Sequence, residues 1–179
     1  MPCYEFEGKR PQVDPAAFVA PTATLIGDVR VEARASIWYG AVLRADLAPI
    51  IVRESANVQD NSVIHTAPEV PVEVGPGATI AHGVVLHGAS VGAEAMVGNG
   101  ATVLDLARIG AGAVIAAHSL VSPGTEIPDG VLAVGSPARV KGPVAGTQAA
   151  EWVRINPGYY AELGRRHREG ITEIDAGTD

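Results

Sequence analysis

A chain of 179 residues, 47% hydrophobic and with a formal net charge of −7, has the length of one domain and enough apolar side chain to bury a core. An acidic balance without a basic stripe excludes phosphate-backbone binding as the main activity, so no nucleic-acid partner is expected. A single cysteine, Cys3, excludes an internal disulfide and a cysteine zinc knuckle.

The N-terminal segment MPCYEFEGKRP has no apolar core, and no 18-residue uncharged apolar run occurs anywhere. No signal peptide or transmembrane segment is therefore expected, and the chain reads as soluble and cytoplasmic, with association at a membrane surface left open. Residues 1–18, broken by Pro2, Pro11 and Pro15, read as an irregular cap over the first regular element, leaving Cys3 unanchored, where a bland role is expected ahead of a nucleophilic one.

From residue 19 to residue 140 the chain follows an internal period of six. Val19, Leu25, Val31, Ile37 and Leu43 open the series. Val52, Val58 and Ile64 follow after a three-residue insertion. Val74, Ile80 and Leu86 follow after a four-residue insertion, and after a one-residue deletion Val91, Val97, Val103, Ile109, Ile115, Val121 and Ile127 complete it. All eighteen positions are Val, Ile or Leu, and in thirteen of them the fourth residue onward is Ala, Ser or Thr. Period six fits neither the 3.6 of a helix nor the 2 of a half-buried strand. It fits a coil that turns a corner every six residues, each short strand sending one aliphatic side chain inward and glycine supplying the corner angles. Three strands make a triangular coil, and coils stack at about 4.8 Å. Eighteen strands give about six coils of an all-β parallel β-helix.

Residues 141–179 read as a linker, a C-terminal helical segment and a loose tail. The stretch Gly135–Arg139 is the exit from the last coil. Helical composition runs from Gln148 to Ile155 and from Tyr159 to Arg168, and Asn156-Pro157-Gly158 predicts a break between them. Trp152, Val153, Tyr160 and Leu163 form the expected apolar face.

Three of the five histidines lie within residues 44–87. Assigning every third aliphatic position to one face puts Arg44, His65 and His87 in one column on successive coils. Two nitrogens on a tetrahedral zinc lie roughly 3.4 Å apart, given Zn–N distances near 2.1 Å. Rings about 4.8 Å apart can converge on that. His82 falls on another face, in a column with Asp60 and Asn99. One side of the triangle spans up to about 20 Å, so His82 cannot reach the other two within one chain. The spacing predicts a homotrimer with one interfacial metal per subunit, held by His65 and His87 of one chain and His82 of the next. His118 and His167 are expected to be structural or solvated.

Arg44-Ala45-Asp46, Asn57-Val58-Gln59-Asp60-Asn61, Ile64-His65, His82-Gly83, Leu86-His87-Gly88 and the late Gly-Ser-Pro-Ala together resemble the gamma-class carbonic anhydrase-like family of hexapeptide-repeat proteins. The resemblance spans roughly residues 10–140 and implies a left-handed coil, a trimer, and zinc, iron(II) or cobalt(II) on three histidines; three imidazoles suit all three metals. It further implies hydration of CO2 to bicarbonate through a metal-bound hydroxide, the metal bringing the pKa of its water toward 7. Gln59 would bond the metal's water or the bicarbonate, and Asp60 and Arg44 would order the pocket. Arg44 would pair with Asp46, either as part of catalysis or as a trimer ion pair. Asn57 and Tyr160 carry over more weakly, with Tyr159 as the neighbouring alternative. The chain departs from the family at Leu47, where studied members carry glutamate, and in the short loop TAPEVPVE, which offers only Glu69 and Glu73. Hydration must export a proton each turnover, so weak activity, none, or another substrate would follow. Two other readings stand beside the hydratase: an acyl-CoA transferase or thioesterase on the same coil, and a structural subunit with a vestigial metal site.

Overall fold

The computed structural model describes residues 2–174. Its strands stack in parallel, and their registers reproduce the six-residue frame. Leu25, Leu43, Ile64, Leu86, Val103 and Val121 lie side by side in one column. Val31, Val52, Val74, Val91, Ile109 and Ile127 form a second. Val19, Ile37, Val58, Ile80, Val97 and Ile115 form a third. All but Val19 are buried. Each such side chain withdrawn from water contributes roughly 1.5–3 kcal/mol, so the repeat is also the core.

The coil is longer than the repeat predicts. Cys3–Tyr4 pairs with Leu25–Ile26, Gln12–Val13 pairs with Arg30–Val31, and Leu132–Ala133 pairs with Val114–Ile115. Cys3, Val13 and Ala133 thereby add one level to each column of six, giving seven turns. The N-terminal segment covers the first repeat as paired strand, and Cys3, although exposed, is anchored there. Backbone pairing needs only an open strand edge, which is why these residues join without the hexapeptide pattern. At the far end Ala138–Pro143 folds back antiparallel on Val131–Gly135 and runs past residue 140.

The corner angles do not belong to glycine alone. The third residue after an aliphatic position takes positive φ whether it is Gly40, Gly100 or Gly124, or instead Arg34, Ser55, Asn61, Glu94, Leu106 or His118. A side chain there costs on the order of 1–2 kcal/mol, and the stacked coil imposes it.

Both insertions bulge from the same edge of adjacent coils. The first lies within the continuous strand Val42–Val52, and the second closes on an Ala67–Val70 bridge. The Ala48 amide donates to Thr66 Oγ1 at 3.2 Å, tying one insertion to the other beside Arg44 and His65.

The C-terminal helix runs unbroken from Gln148 to Gly170 with Pro157 inside it. The predicted break does not occur because tertiary packing outweighs the roughly 3 kcal/mol that an interior proline costs. The Pro157 ring seats against the corner at Gly77, where an added Cβ would stand 3.2 Å from Pro157 Cγ. Farther along, Trp38 meets Tyr160 at 5.6 Å and His167 at 4.9 Å between ring centroids, and the Tyr39 hydroxyl lies 2.9 Å from His167 Nδ1. His167 thus anchors the helix. Tyr160 and Leu163 pack on the core, but Trp152 remains 49% exposed, because the first helical turns stand off from the coil. Residues 171–174 follow without regular structure. The remainder of the expected tail, residues 175–179, lies outside the described residues. No described helix is long and apolar enough to cross a membrane.

Candidate metal centre

Strand register places Arg44 beside His65 and His65 beside His87. The two imidazoles meet edge to face with centroids 4.9 Å apart, and His65 Nδ1 stands 3.0 Å from His87 Nε2. Each ring has its other nitrogen on a carboxylate. His65 Nε2 lies 2.9 Å from Asp46 Oδ1, and His87 Nδ1 lies 2.5 Å from Asp105 Oδ1. An imidazole that donates its N–H to a carboxylate keeps a lone pair on the opposite nitrogen. The two facing nitrogens therefore present their lone pairs side by side as a pair of donor atoms. Arg44 Nη1 bonds the second oxygen of Asp46. Burial pushes the Asp46 carboxyl up, but the hydrogen bonds from Arg44 and His65 outweigh it and hold it below the usual carboxylate range.

His82 belongs to a different face. Its Nδ1 lies 2.8 Å from Asp60 Oδ2, one coil away, and its side chain is 51% exposed. Among the described residues one chain brings together no three side chains able to hold a metal. All three histidines nonetheless share one arrangement, a ring nitrogen on an aspartate, which fixes ring orientation and raises the basicity of the free nitrogen in metal sites. That donor chemistry fits a divalent ion. Asp105 is the residue that sequence reasoning missed. Counting the frame one coil beyond His87 and two residues past Val103 reaches it, so the signal was present but unused.

Asn57, Gln59 and Tyr160 form a connected group beneath the helix. Asn57 Nδ2 donates to Thr79 Oγ1 at 2.9 Å, and Gln59 Nε2 donates to Asn57 Oδ1 at 3.0 Å. Burial raises the Tyr160 hydroxyl above its ordinary range, and the charges of Tyr159 and Asp60 add to this while a hydrogen bond with Gln59 opposes it. Tyr159 is 60% exposed, so Tyr160 is the tyrosine that meets Gln59. Asn99 lines the same groove as His82, whereas His118 occupies a corner, over Gly100. On the His65 face, Leu47, Val63 and Val85 are exposed large apolar side chains flanking the histidine pair. Of the two loop acids, Glu73 is held by Arg53 at 2.7 Å, away from the histidines, and Glu69 is exposed.

No protein-family model matches the chain. A carbonic anhydrase of Geobacillus kaustophilus is 42% identical over 165 residues, covering 92% of this chain and 90% of that one. The chain belongs to the gamma-class carbonic anhydrase-like family of hexapeptide-repeat proteins. The carnitine operon protein CaiE of Salmonella agona, 40% identical over 97% of this chain and 87% of its own, is equally similar. A crystal structure of a hexapeptide transferase family protein from Anaplasma phagocytophilum superposes with a TM-score of 0.87 at 36% identity, covering 92% of this chain and 96% of that one. With the family goes the left-handed coil. The carbonic anhydrase relative favours an enzyme, while the variety of relatives leaves the family broader than a single reaction.

Proposed function

We propose that the protein is a trimeric, metal-dependent hydratase that converts CO2 and water to bicarbonate. The observation that carries this reading is the set of three histidines, each with one ring nitrogen on an aspartate, arranged as a facing pair on one surface and a single histidine on another. His65 and His87 of one subunit and His82 of the next would hold one zinc, iron(II) or cobalt(II) ion. Because one chain gathers only two of these, the third must come from a second copy, and the exposed Leu47, Val63 and Val85 around the pair suit burial against it. When bound, the ion supplies Lewis acidity that makes water a nucleophile at neutral pH.

The chain's own residues orient and select. Asp46, Asp60 and Asp105 each fix one imidazole. Arg44 neutralises Asp46 and holds its carboxylate toward His65. Gln59, buried and tied through Asn57 to Thr79, is positioned to bond the oxygen of substrate or product, and Tyr160 sets the far side of Gln59. Leu47 leaves the product proton without an acidic carrier at that position, so turnover slower than in acid-bearing relatives is expected.

The test is metal content per subunit and assembly mass for untagged protein, followed by stopped-flow CO2 hydration from pH 6 to 9. One metal per subunit with measurable hydration supports the reading. A metal-loaded trimer without hydration over that range refutes the hydratase, and a metal-free active transferase would replace it.

A further inference from the structure

Between the first half of the C-terminal helix and the face bearing His82, a groove of about 460 Å³ remains. That volume is typical of small-molecule sites, roughly 300–1,000 Å³, and far exceeds what a triatomic gas needs. The groove exists because Ala81, Ala116 and Ala117 leave the coil surface low where Trp152 and Tyr159 overhang it. Among the described residues no Lys, Arg, Asp or Glu lines it.

One side chain in it is out of place for simple packing. Asn156 is only 7% exposed, yet its Nδ2 finds nothing better than the Met96 sulfur at 3.8 Å. A thioether is a weak acceptor. The Asn156 carbonyl oxygen accepts no hydrogen bond among the described residues. No fully enclosed side-chain oxygen or nitrogen is left without a partner, so this oxygen must open onto the groove. Asparagine is also a poor choice for a helix interior, where leucine would have filled the gap.

We infer that the groove binds a small, uncharged molecule carrying a primary amide. The edge of an Asn amide offers one donor beside one acceptor, and a primary amide, whose N–H and carbonyl oxygen lie along one edge, can meet both. Its N–H donates to Asn156 Oδ1, and its carbonyl accepts from Asn156 Nδ2 in place of the sulfur. Trp152 and Tyr159 cover the apolar remainder of the molecule. No Lys, Arg, Asp or Glu lines the groove to pair with an ionic headgroup, and His82 is committed to Asp60 and to the proposed metal, so an uncharged ligand fits it better. Gln59 and His82 line the same groove, so its occupant sits beside the histidine site. The groove is nevertheless built within one chain and needs no metal, which separates this inference from the hydratase reading.

The test titrates the protein with pentanamide, following the indole N–H and side-chain amide signals by nitrogen-15 NMR, once as purified and once after chelation of metal. Methyl pentanoate, with the same acyl chain but without an N–H, and butylammonium, which is charged, are the comparison probes. Saturable shifts at the Trp152 indole are expected with the amide, at a Kd roughly three- to tenfold below that of the ester, the factor one neutral hydrogen bond contributes. Chelation should leave that preference unchanged. Asn156→Leu should erase it, and Ala116→Leu, which fills the groove from the coil side, should abolish binding of both neutral probes. Equal affinity for ester and amide, tighter binding of butylammonium, or no shift with any probe overturns the inference.

Discussion

Replacing Asp105 offers the sharpest test of how the histidine pair is held. Its carboxylate accepts from His87 Nδ1 at 2.5 Å, the one side-chain hydrogen bond it makes among the described residues. Losing such a carboxylate partner costs a metal site 10- to 100-fold in affinity, about 1.4–2.8 kcal/mol. The Asp105 side chain is 43% exposed, and water screens its charge, so Asp105→Ala should fall near the tenfold end. Stability should change little, because surface substitutions usually stay within about 0.5 kcal/mol, or roughly 1–2 °C in Tm for a chain of this size. Gly88→Ala gives an independent route to the same effect. An added Cβ there would lie 2.4 Å from Asp105 Oδ1, so the carboxylate must swing away from His87 although it is still present. The assay is competition for zinc against a chromophoric chelator, with nitrogen-15 shifts of His87 reporting its tautomer. Zinc affinity within twofold of wild type for Asp105→Ala, with the His87 tautomer unchanged, would refute the assigned role. Loss of affinity accompanied by loss of the assembly would refute it as well.

Subunit mixing tests the split site. His82→Ala chains and His65→Ala/His87→Ala chains should each lose metal while keeping their fold and the Tm of chelated wild type, and co-refolding the two should restore fewer than one metal per chain; failure to restore any sinks the shared site. Tyr160 predicts an alkaline weakness. Its folded pKa is raised, so its stabilising contribution is complete below the ordinary tyrosine value near 10 and is lost as pH rises through the higher folded value. Tm measured from pH 8 to 11.5 should fall less steeply in Tyr160→Phe than in wild type, and parallel curves would exclude Tyr160 as the cause. Leu47→Glu should raise CO2 hydration severalfold in weak buffer and less in strong buffer, as an added proton carrier must. An equal gain in both buffers, or none, would show that proton export is not the limiting step.

The neighbour relations of the inward side chains could be read from the sequence because the coil is periodic. Once an aliphatic residue recurs every six positions, the residue after Ile64 and the residue after Leu86 must stand on adjacent coils, and register does place His65 beside His87. The same counting set His82 apart, beside Asp60. These relations need only backbone spacing, which local sequence controls.

Other features depend on contacts between segments that carry no shared period. The seventh turn comes from Cys3–Tyr4 and Gln12–Val13 at one end and Leu132–Ala133 at the other, which join because a strand edge is open, not because they match the repeat. The helix crosses Pro157 unbroken because the corner at Gly77 receives the ring and the Trp38, Tyr160 and His167 cluster holds the far end. Nothing near Pro157 in the sequence announces either partner. Asp105 could be counted to, but only the side-chain distance singles it out from other exposed acids. The groove at Asn156 required the helix to be set against the coil before its gap and its unpartnered carbonyl existed at all. By itself the sequence determined the coil, its core and the columns that carry the histidines, since a six-residue period acts through the backbone at short range. Tertiary structure decided the helix path, the aspartate on each imidazole and the space beside His82, since those depend on which distant side chains happen to meet.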